Sequence, residues 1–162
     1  MKRFARKPKK QLKMKNEIKD ELSHVPDELQ KLIHFSVERY LNILGMNNYK
    51  PRIMFEKDGC NANNDPSADI VAAIANVDNR YLTITIKVFS YVVDLWKKGD
   101  MDDDDIKDII AHEVAHVATN NLYDKAVSLY RNEEDVKDAW ESLTTTVGRL
   151  VNEIDKSRSI KK

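Results

Sequence analysis

Cysteine, long apolar runs and an excess of one charge sign are all scarce in this sequence. Its one cysteine, Cys60, has no second cysteine with which to form an intrachain disulfide, which excludes a disulfide framework and suits a reducing compartment. No stretch approaches the roughly 20 apolar residues that a membrane-spanning helix needs. Lys and Arg together number 27, as do Asp and Glu, so the net charge gives no indication of a nucleic-acid or acidic partner. We therefore expect a soluble cytoplasmic protein that does not act at a membrane.

The balanced charge hides an uneven distribution at the N-terminus. Residues 1–15 carry Lys and Arg side chains and no acidic one. Lys and Glu recur through residue 21, so no apolar segment follows of the kind that a secretory signal peptide requires. We interpret residues 1–20 as a basic flexible tail that aids solubility, with binding of nucleic acid or an acidic partner as the alternative. Residues 21–162 have the size of a single domain.

Hydrophobic periodicity predicts a helix followed by strands in the first part of this domain. The helix is predicted by an apolar stripe from Leu29 to Leu44, with Ser23 as a cap, Pro26 in the first turn and Gly45 as the stop. Apolar runs then predict three strands, at 52–56, 70–77 and 81–89. We expect the strand at 52–56 to lie at a sheet edge. The last two flank Asp78-Asn79-Arg80 and are typical of a hairpin, whereas residues 58–69 predict a loop.

The second part of the domain is predicted to be helical. We expect a short helix over 91–97 and three further helices, over 102–119, within 122–130 and over 132–154. Strands grouped between helices, rather than alternating with them, indicate the α+β class. The prediction is a small sheet of mainly three strands packed on helices.

A His-Glu-x-x-His motif lies in the first long helix of this second part. His112 and His116 are four residues apart, which on a helix puts both imidazoles on one face, one turn apart. Two nitrogens in that arrangement converge on a tetrahedral zinc ion. Glu113 projects about 100° further round the helix, where it is poorly placed to ligate but able to take a proton from a water on the metal. The motif predicts His112 and His116 as zinc ligands and Glu113 as the catalytic base.

The residues around the motif favour a half-buried helix over an exposed one. Ile106, Ile109, Ile110 and Val117 recur at helical spacing, and Ala111 and Ala115 keep the neighbourhood of the ligands small. Four aspartates, 102–105, crowd the start, where the helix dipole favours negative charge, and Asp100 or Asp102 is the expected cap. These flanks argue against the alternative of two surface histidines beside an incidental glutamate.

A catalytic zinc site needs one more protein ligand and one open position. No histidine follows His116, which excludes the His-based pattern of metzincins. The candidates are Glu133, Glu134 and Glu141 on the last helix. Glu133 heads the apolar stripe that is made of Val136, Trp140, Leu143, Val147, Leu150 and Ile154.

Glu134 lies on a more polar side of that helix, whereas Glu141 leads a run of small residues, Thr144, Thr145 and Gly148. A face of small residues lets two helices approach closely, and a glycine in mid-helix costs about 1 kcal/mol unless something requires it. We therefore favour Glu141 as the third ligand and keep Glu133 and Glu134 open.

The motif His112-Glu113-Val114-Ala115-His116 resembles the zincin signature, and a downstream glutamate resembles its gluzincin-like branch. The chain is also similar to small metallopeptidases of phages and prophages, in which an Asn/Leu/Tyr-type stretch and a Glu-x-Leu-Thr helix follow the motif. Here residues 118–123 and Glu141-Ser142-Leu143-Thr144 match them, and the resemblance covers roughly residues 80–151. It implies a minimal zincin-like domain, a host cytoplasm if the chain is phage-encoded, and Zn²⁺ held by His112, His116 and Glu141 with Glu113 as base. Asn132-Glu133 is the pair most similar to the Asn-Glu pattern of thermolysin-like enzymes, so Glu133 stays a candidate for the third ligand.

The function that these residues predict is hydrolysis of a peptide bond in a peptide or protein substrate by a zinc-activated water. We expect an extended substrate to pair with an edge strand of the sheet, and residues 81–89 are the predicted edge. Tyr123 and Tyr130 are candidate donors to the oxyanion, with packing as the alternative role. The rival hypothesis is a zinc-stabilised interaction or regulatory module without significant turnover, for which Glu113 would not be needed.

Overall fold

The computed structural model describes residues 25–57, 72–129 and 133–159, where the fold is α+β with four helices and a three-stranded mixed sheet. The predicted fold class is confirmed. The predicted tail, the loop over 58–69 and Ser23 lie outside the described residues. In chain order the elements are α1 (Asp27–Ile43), β1 (Lys50–Glu56), β2 (Ala73–Asp78), β3 (Thr83–Phe89), α2 (Ser90–Lys98), α3 (Asp103–Leu129) and α4 (Glu133–Ser159).

Helix α1 faces the core with the apolar stripe that the sequence predicts. It begins after Pro26, where the first turn has no use for a backbone N–H, and Gly45 follows it with a φ of 71°. Burying such a stripe is what stabilises a helix of this length, since each large aliphatic side chain contributes about 1.5–3 kcal/mol. The stripe residues with no exposed surface are Leu29, Ile33, Val37 and Tyr40.

The sheet has the strand order β1-β3-β2. Strand β3 pairs in parallel with β1, from Lys50↔Thr83 to Glu56↔Phe89, and antiparallel with β2. The predicted hairpin is confirmed, because the Asp78 carboxylate accepts the backbone N–H groups of Arg80 and Tyr81 and closes the turn. Strand β1 is an edge, as expected.

The prediction that residues 81–89 form the sheet edge is wrong. Strand β3 is central and is paired on both sides, whereas β2 is the edge beside it. The alternation of apolar and polar residues along β3 predicts which face of the strand is buried, and Ile84, Ile86 and Val88 are indeed buried. Alternation carries no information about how many neighbours a strand has.

Helix α3 carries the motif and begins as predicted, with Asp102 as its cap. One carboxylate oxygen of Asp102 accepts the backbone N–H groups of Asp104 and Asp105, at 2.8 and 2.9 Å. The prediction of separate helices over 102–119 and within 122–130 is wrong, because α3 runs without a break to Leu129. The sequence of α3 has no glycine or proline to end it, and the Asn120 amide donates to Asp124 one turn later.

Helix α4 packs on α3 mainly with its small residues, together with Trp140 from the apolar stripe. Thr144, Gly148, Val151 and Asn152 are buried there. The stripe residues Leu143, Leu150 and Ile154 are 41%, 58% and 41% exposed, whereas the small-residue face that the sequence predicts for close packing is buried. Close approach of two helices favours glycine and threonine over leucine, and the facing residues of α3 include Ala111 and Ala115.

Helix α3 lies at the centre of the fold, in contact with α1, α4 and strand β2. The hairpin turn is tied to it, since the Asn79 amide donates to Asn121 of α3 at 2.9 Å while the Tyr49 hydroxyl donates to Asn79 at 2.6 Å. None of the described helices is both long enough and apolar enough to cross a bilayer. The motif is therefore held between a sheet edge and a second helix.

Candidate metal centre

The three motif residues converge as the sequence predicts. One ligand atom from each of His112, Glu113 and His116 lies within 4.8 Å of the others. The two imidazole rings are 5.0 Å apart between centroids and nearly perpendicular, at 89°. This is the group of potential metal-binding side chains found in the described part of the chain.

Glu113 is buried between the motif helix and strand β2, and 7% of it is exposed. Burial is the main reason that the pKa of its carboxyl is raised to about 7; a hydrogen bond from the backbone N–H of Ala75 opposes the rise, and the nearby Glu141 carboxylate adds a smaller contribution to it. Such a group accepts and releases a proton close to neutral pH. Ala75 belongs to β2, so the edge strand holds the carboxylate in place.

His116 is buried to the same degree and is held as a neutral imidazole. Burial lowers its pKa to about 4, and the neighbouring His112 lowers it as well. Its Nδ1 atom is buried and has no hydrogen-bond partner among the described residues. The ring lies against Trp140, with centroids 4.6 Å apart, and Trp140 in turn stacks on Tyr123 at 4.3 Å.

His112 contacts helix α4 through both ring nitrogens. Its Nε2 lies 3.4 Å from Oε2 of Glu141, and its Nδ1 lies 3.4 Å from the hydroxyl of Thr145. Glu141 and Thr145 are one turn apart on α4 and therefore reach the same ring. The ring is about one-third exposed, which leaves this side of the centre open to solvent.

Gly148 explains why α4 comes so near. A Cβ at this position would lie 3.0 Å from the Cα and N of His112 and 3.2 Å from the carbonyl carbon of Ala111. One turn before Gly148, the buried hydroxyls of Thr144 and Thr119 hydrogen-bond at 2.8 Å, and the Trp140 indole donates to Thr119. The close-packing face that the sequence predicts for Glu141 is confirmed by these contacts.

The three candidate third ligands have different outcomes. Glu141 approaches the motif, whereas the side chain of Glu134 is exposed and makes no contact with it. The side chain of Glu133 and the whole of Tyr130 lie outside the described residues. Tyr123 packs on Trp140, which is the alternative role that its sequence context allows.

These side chains offer a donor set that fits a divalent metal ion. Two imidazoles, one of them buried and held neutral, converge with the Glu113 carboxylate, and the Glu141 carboxylate contacts His112 but is not part of this cluster. A buried nitrogen without a protein partner is costly unless something else satisfies it. Nitrogen and carboxylate donors of this kind accept zinc and other transition metals, so the geometry by itself does not choose among them.

A cavity of about 440 Å³ opens beside the motif. Its walls near the centre are His112, Glu113 and Thr145, and its far wall includes Asp108 and Arg149. The remaining lining is small or apolar, from Ala72, Ala73, Ile109 and Gly148.

Comparisons with family models, with curated proteins and with solved structures find no match for this chain. The case for its function therefore depends on the chemistry of the residues described above.

Sequence reasoning missed four contributors to the centre. The Ala75 N–H is a backbone group, which no side-chain pattern reveals. Thr145 was noted as a small residue but not as a neighbour of His112. Trp140 was assigned to the apolar stripe, and Arg149 carried no signal at all, because an exposed arginine on a helix is ordinary in sequence.

Proposed function

We propose that the chain is a zinc-dependent metallopeptidase with a zincin-like arrangement of its active site. The observation that supports this most is the convergence of His112, Glu113 and His116 within 4.8 Å, with Glu113 buried at the edge of a strand. A buried carboxylate with a raised pKa beside two imidazoles is costly for a purely structural site and useful for proton transfer.

The proposed zinc ligands are His112, His116 and Glu141. Two nitrogens and one carboxylate are a donor set that catalytic zinc sites use, with the fourth position left for water or substrate. Thr145 contacts the other ring nitrogen of His112 and helps to hold the orientation of the ring. Trp140 packs against His116 and restricts that ring in the same way.

Zinc, when bound, supplies Lewis-acid polarisation of a water molecule and of the substrate carbonyl. The Glu113 carboxylate accepts the proton that the water gives up as it attacks. A pKa near 7 lets the same oxygen return this proton to the leaving nitrogen, so no second acid is required. The Ala75 N–H keeps the carboxylate oriented through both transfers.

The outer edge of β2 is the proposed docking edge for the substrate. No described strand pairs with that edge, and Ala75 on β2 directly contacts Glu113. An extended peptide that adds to β2 would run past the motif, with main-chain hydrogen bonds giving affinity and side-chain cavities giving selectivity. The single cysteine suits a reducing environment, and we propose the cytoplasm as the compartment in which it acts.

The test compares wild type with Glu113→Gln, using Glu134→Gln as the matched control on an exposed glutamate. Zinc content is measured first, and cleavage of a mixed peptide library by mass spectrometry second. We expect all three proteins to hold about one zinc, and Glu113→Gln to lose at least about 100-fold in cleavage rate. Unchanged cleavage by Glu113→Gln would refute the proposal. Zinc binding without any cleavage by wild type would favour the interaction module instead.

A further inference from the structure

Arg149 lines the cavity beside the motif, and no partner for it is found among the described residues. Among the described residues it makes no ion pair and no hydrogen bond, although it lines the same cavity as His112 and Glu113. Guanidinium groups bind carboxylates through paired N–H donors, and they remain charged at any physiological pH. An unpartnered arginine in a substrate-sized cavity is therefore available to a ligand.

Asp108 and Glu113 are the acidic residues that line this cavity, and the carboxylate of Asp108 is already used. It accepts a hydrogen bond from the amide of Asn152, whose carbonyl oxygen in turn accepts the hydroxyl of buried Tyr40. Asp108 therefore ends a chain of hydrogen bonds that leads into the core. Of the titratable side chains that line the cavity, Arg149 is the one without a protein partner among the described residues.

The position of Arg149 on α4 sets its distance from the reacting bond. Glu141, Thr145 and Arg149 follow one another at intervals of four residues, so they lie along one side of the helix. A rise of 1.5 Å per residue puts Arg149 about 12 Å from Glu141 along the helix axis. An extended substrate advances about 3.3 Å per residue, and an arginine side chain spans much of the remaining gap.

We propose that Arg149 selects substrates with an acidic side chain within two residues of the scissile bond. This inference rests on the proposed peptidase function, and it adds the substrate class. The apolar lining of Ala72, Ala73 and Ile109 accommodates the methylene groups of the side chain, and the guanidinium binds its carboxylate. Glutamate, which is longer, reaches Arg149 better than aspartate does.

The experiment measures binding, so that it does not depend on turnover. The probes are short peptide hydroxamates that ligate zinc and differ only in having Glu, Gln or Lys at the first or second residue from the hydroxamate. Their affinities for the zinc-loaded protein are measured by calorimetry at low salt. The variants are Arg149→Gln and Arg149→Glu, with Arg158→Gln as the matched control, because Arg158 is an exposed cation of α4 that does not line the cavity.

We expect wild type and Arg158→Gln to bind the Glu probe about 3- to 10-fold more tightly than the Gln probe, as for one half-exposed ion pair. Arg149→Gln should bring this ratio to about one, and Arg149→Glu should transfer the preference to Lys. A wild-type ratio of one, a ratio unchanged in Arg149→Gln, or failure of every probe to bind would overturn the inference.

Two outcomes separate this inference from the proposed function. Discrimination between the probes without cleavage of the peptide library removes the peptidase and leaves the acidic subsite. Cleavage without discrimination leaves the peptidase and removes the subsite. A wild-type preference for Lys that Asp108→Asn abolishes would assign the cavity to the opposite charge and would also overturn the inference.

Discussion

Replacing Gly148 with alanine adds a methyl group at the closest contact between helices α3 and α4. The new Cβ would lie 3.0 Å from two backbone atoms of His112 and 3.2 Å from one of Ala111, where ordinary carbon contacts need about 3.5–4.0 Å. All three atoms belong to a helix backbone and cannot rotate away. The helices must therefore separate by roughly 0.5 Å at this level.

Two effects of opposite sign decide the stability of Gly148→Ala. Overpacking a rigid contact costs about 1–3 kcal/mol, while alanine recovers up to about 1 kcal/mol of helix propensity. We expect a net loss of about 1–2 kcal/mol in the free energy of unfolding. Urea unfolding of the metal-free protein measures it, with Ser142→Ala, on the exposed side of the same helix, as the control.

The displacement of α4 in Gly148→Ala should also weaken the proposed zinc site. Glu141 lies two turns before Gly148 and is 3.4 Å from His112, so a shift of α4 changes the spacing of the proposed ligands. Misplaced supporting residues weaken zinc sites by about 10- to 100-fold, and we expect about 10-fold here. Competition with a chromogenic chelator measures the zinc Kd. A Gly148→Ala protein that is more stable than wild type and binds zinc equally well would refute the reasoning.

Three further predictions follow from the same geometry. Glu141→Gln should weaken zinc binding by about 100-fold or more in a chelator competition, whereas Glu134→Gln should not change it. In the metal-free protein, the raised pKa of Glu113 means that its favourable contribution to stability is complete below about pH 4.5 and is lost as the pH rises through about 7. The free energy of unfolding of Glu113→Gln, measured by urea titration, should therefore exceed that of wild type by about 3 kcal/mol at pH 8 and should not exceed it at pH 4. Burial and the neighbouring Asp108 raise the pKa of Tyr40 from 10.0 to about 12, so its contribution is present below pH 10 and is lost toward pH 12. Relative to Tyr40→Phe, wild type should therefore lose about 2–3 kcal/mol over that range, and parallel pH profiles of the two proteins would contradict this.

The motif was predictable because its information is local. The spacing of His112 and His116 fixes their shared helix face, and this holds in any fold that keeps the helix. Gly148 was also informative, since a glycine in mid-helix usually reports a close contact, and here the contact is the backbone of His112. Glu141 could be ranked above Glu134 for the same reason.

The errors all concern which elements become neighbours. Strand β3 looked like an edge because its alternation describes faces, whereas its pairing with β1 is set by the chain that connects them. The sequence does not reveal that Leu143 and Leu150 of the apolar stripe remain exposed, because this depends on which face of α4 meets α3. The Ala75 hydrogen bond depends on how the sheet sits against α3, which no local pattern encodes.

The edge strand β2 is attached to the motif helix at two places, and this has a consequence for the substrates of the proposed peptidase. Ala75 bonds Glu113, and Asn79 in the turn after β2 bonds Asn121, so strand and helix keep a fixed separation. We therefore expect the proposed docking edge to accept a single extended chain in preference to a helix or a paired strand. We expect folded proteins to be cleaved in exposed loops and their unfolded forms at many more positions. Digesting one test protein before and after denaturation would show whether the shape of the substrate, as well as its sequence, decides where hydrolysis occurs.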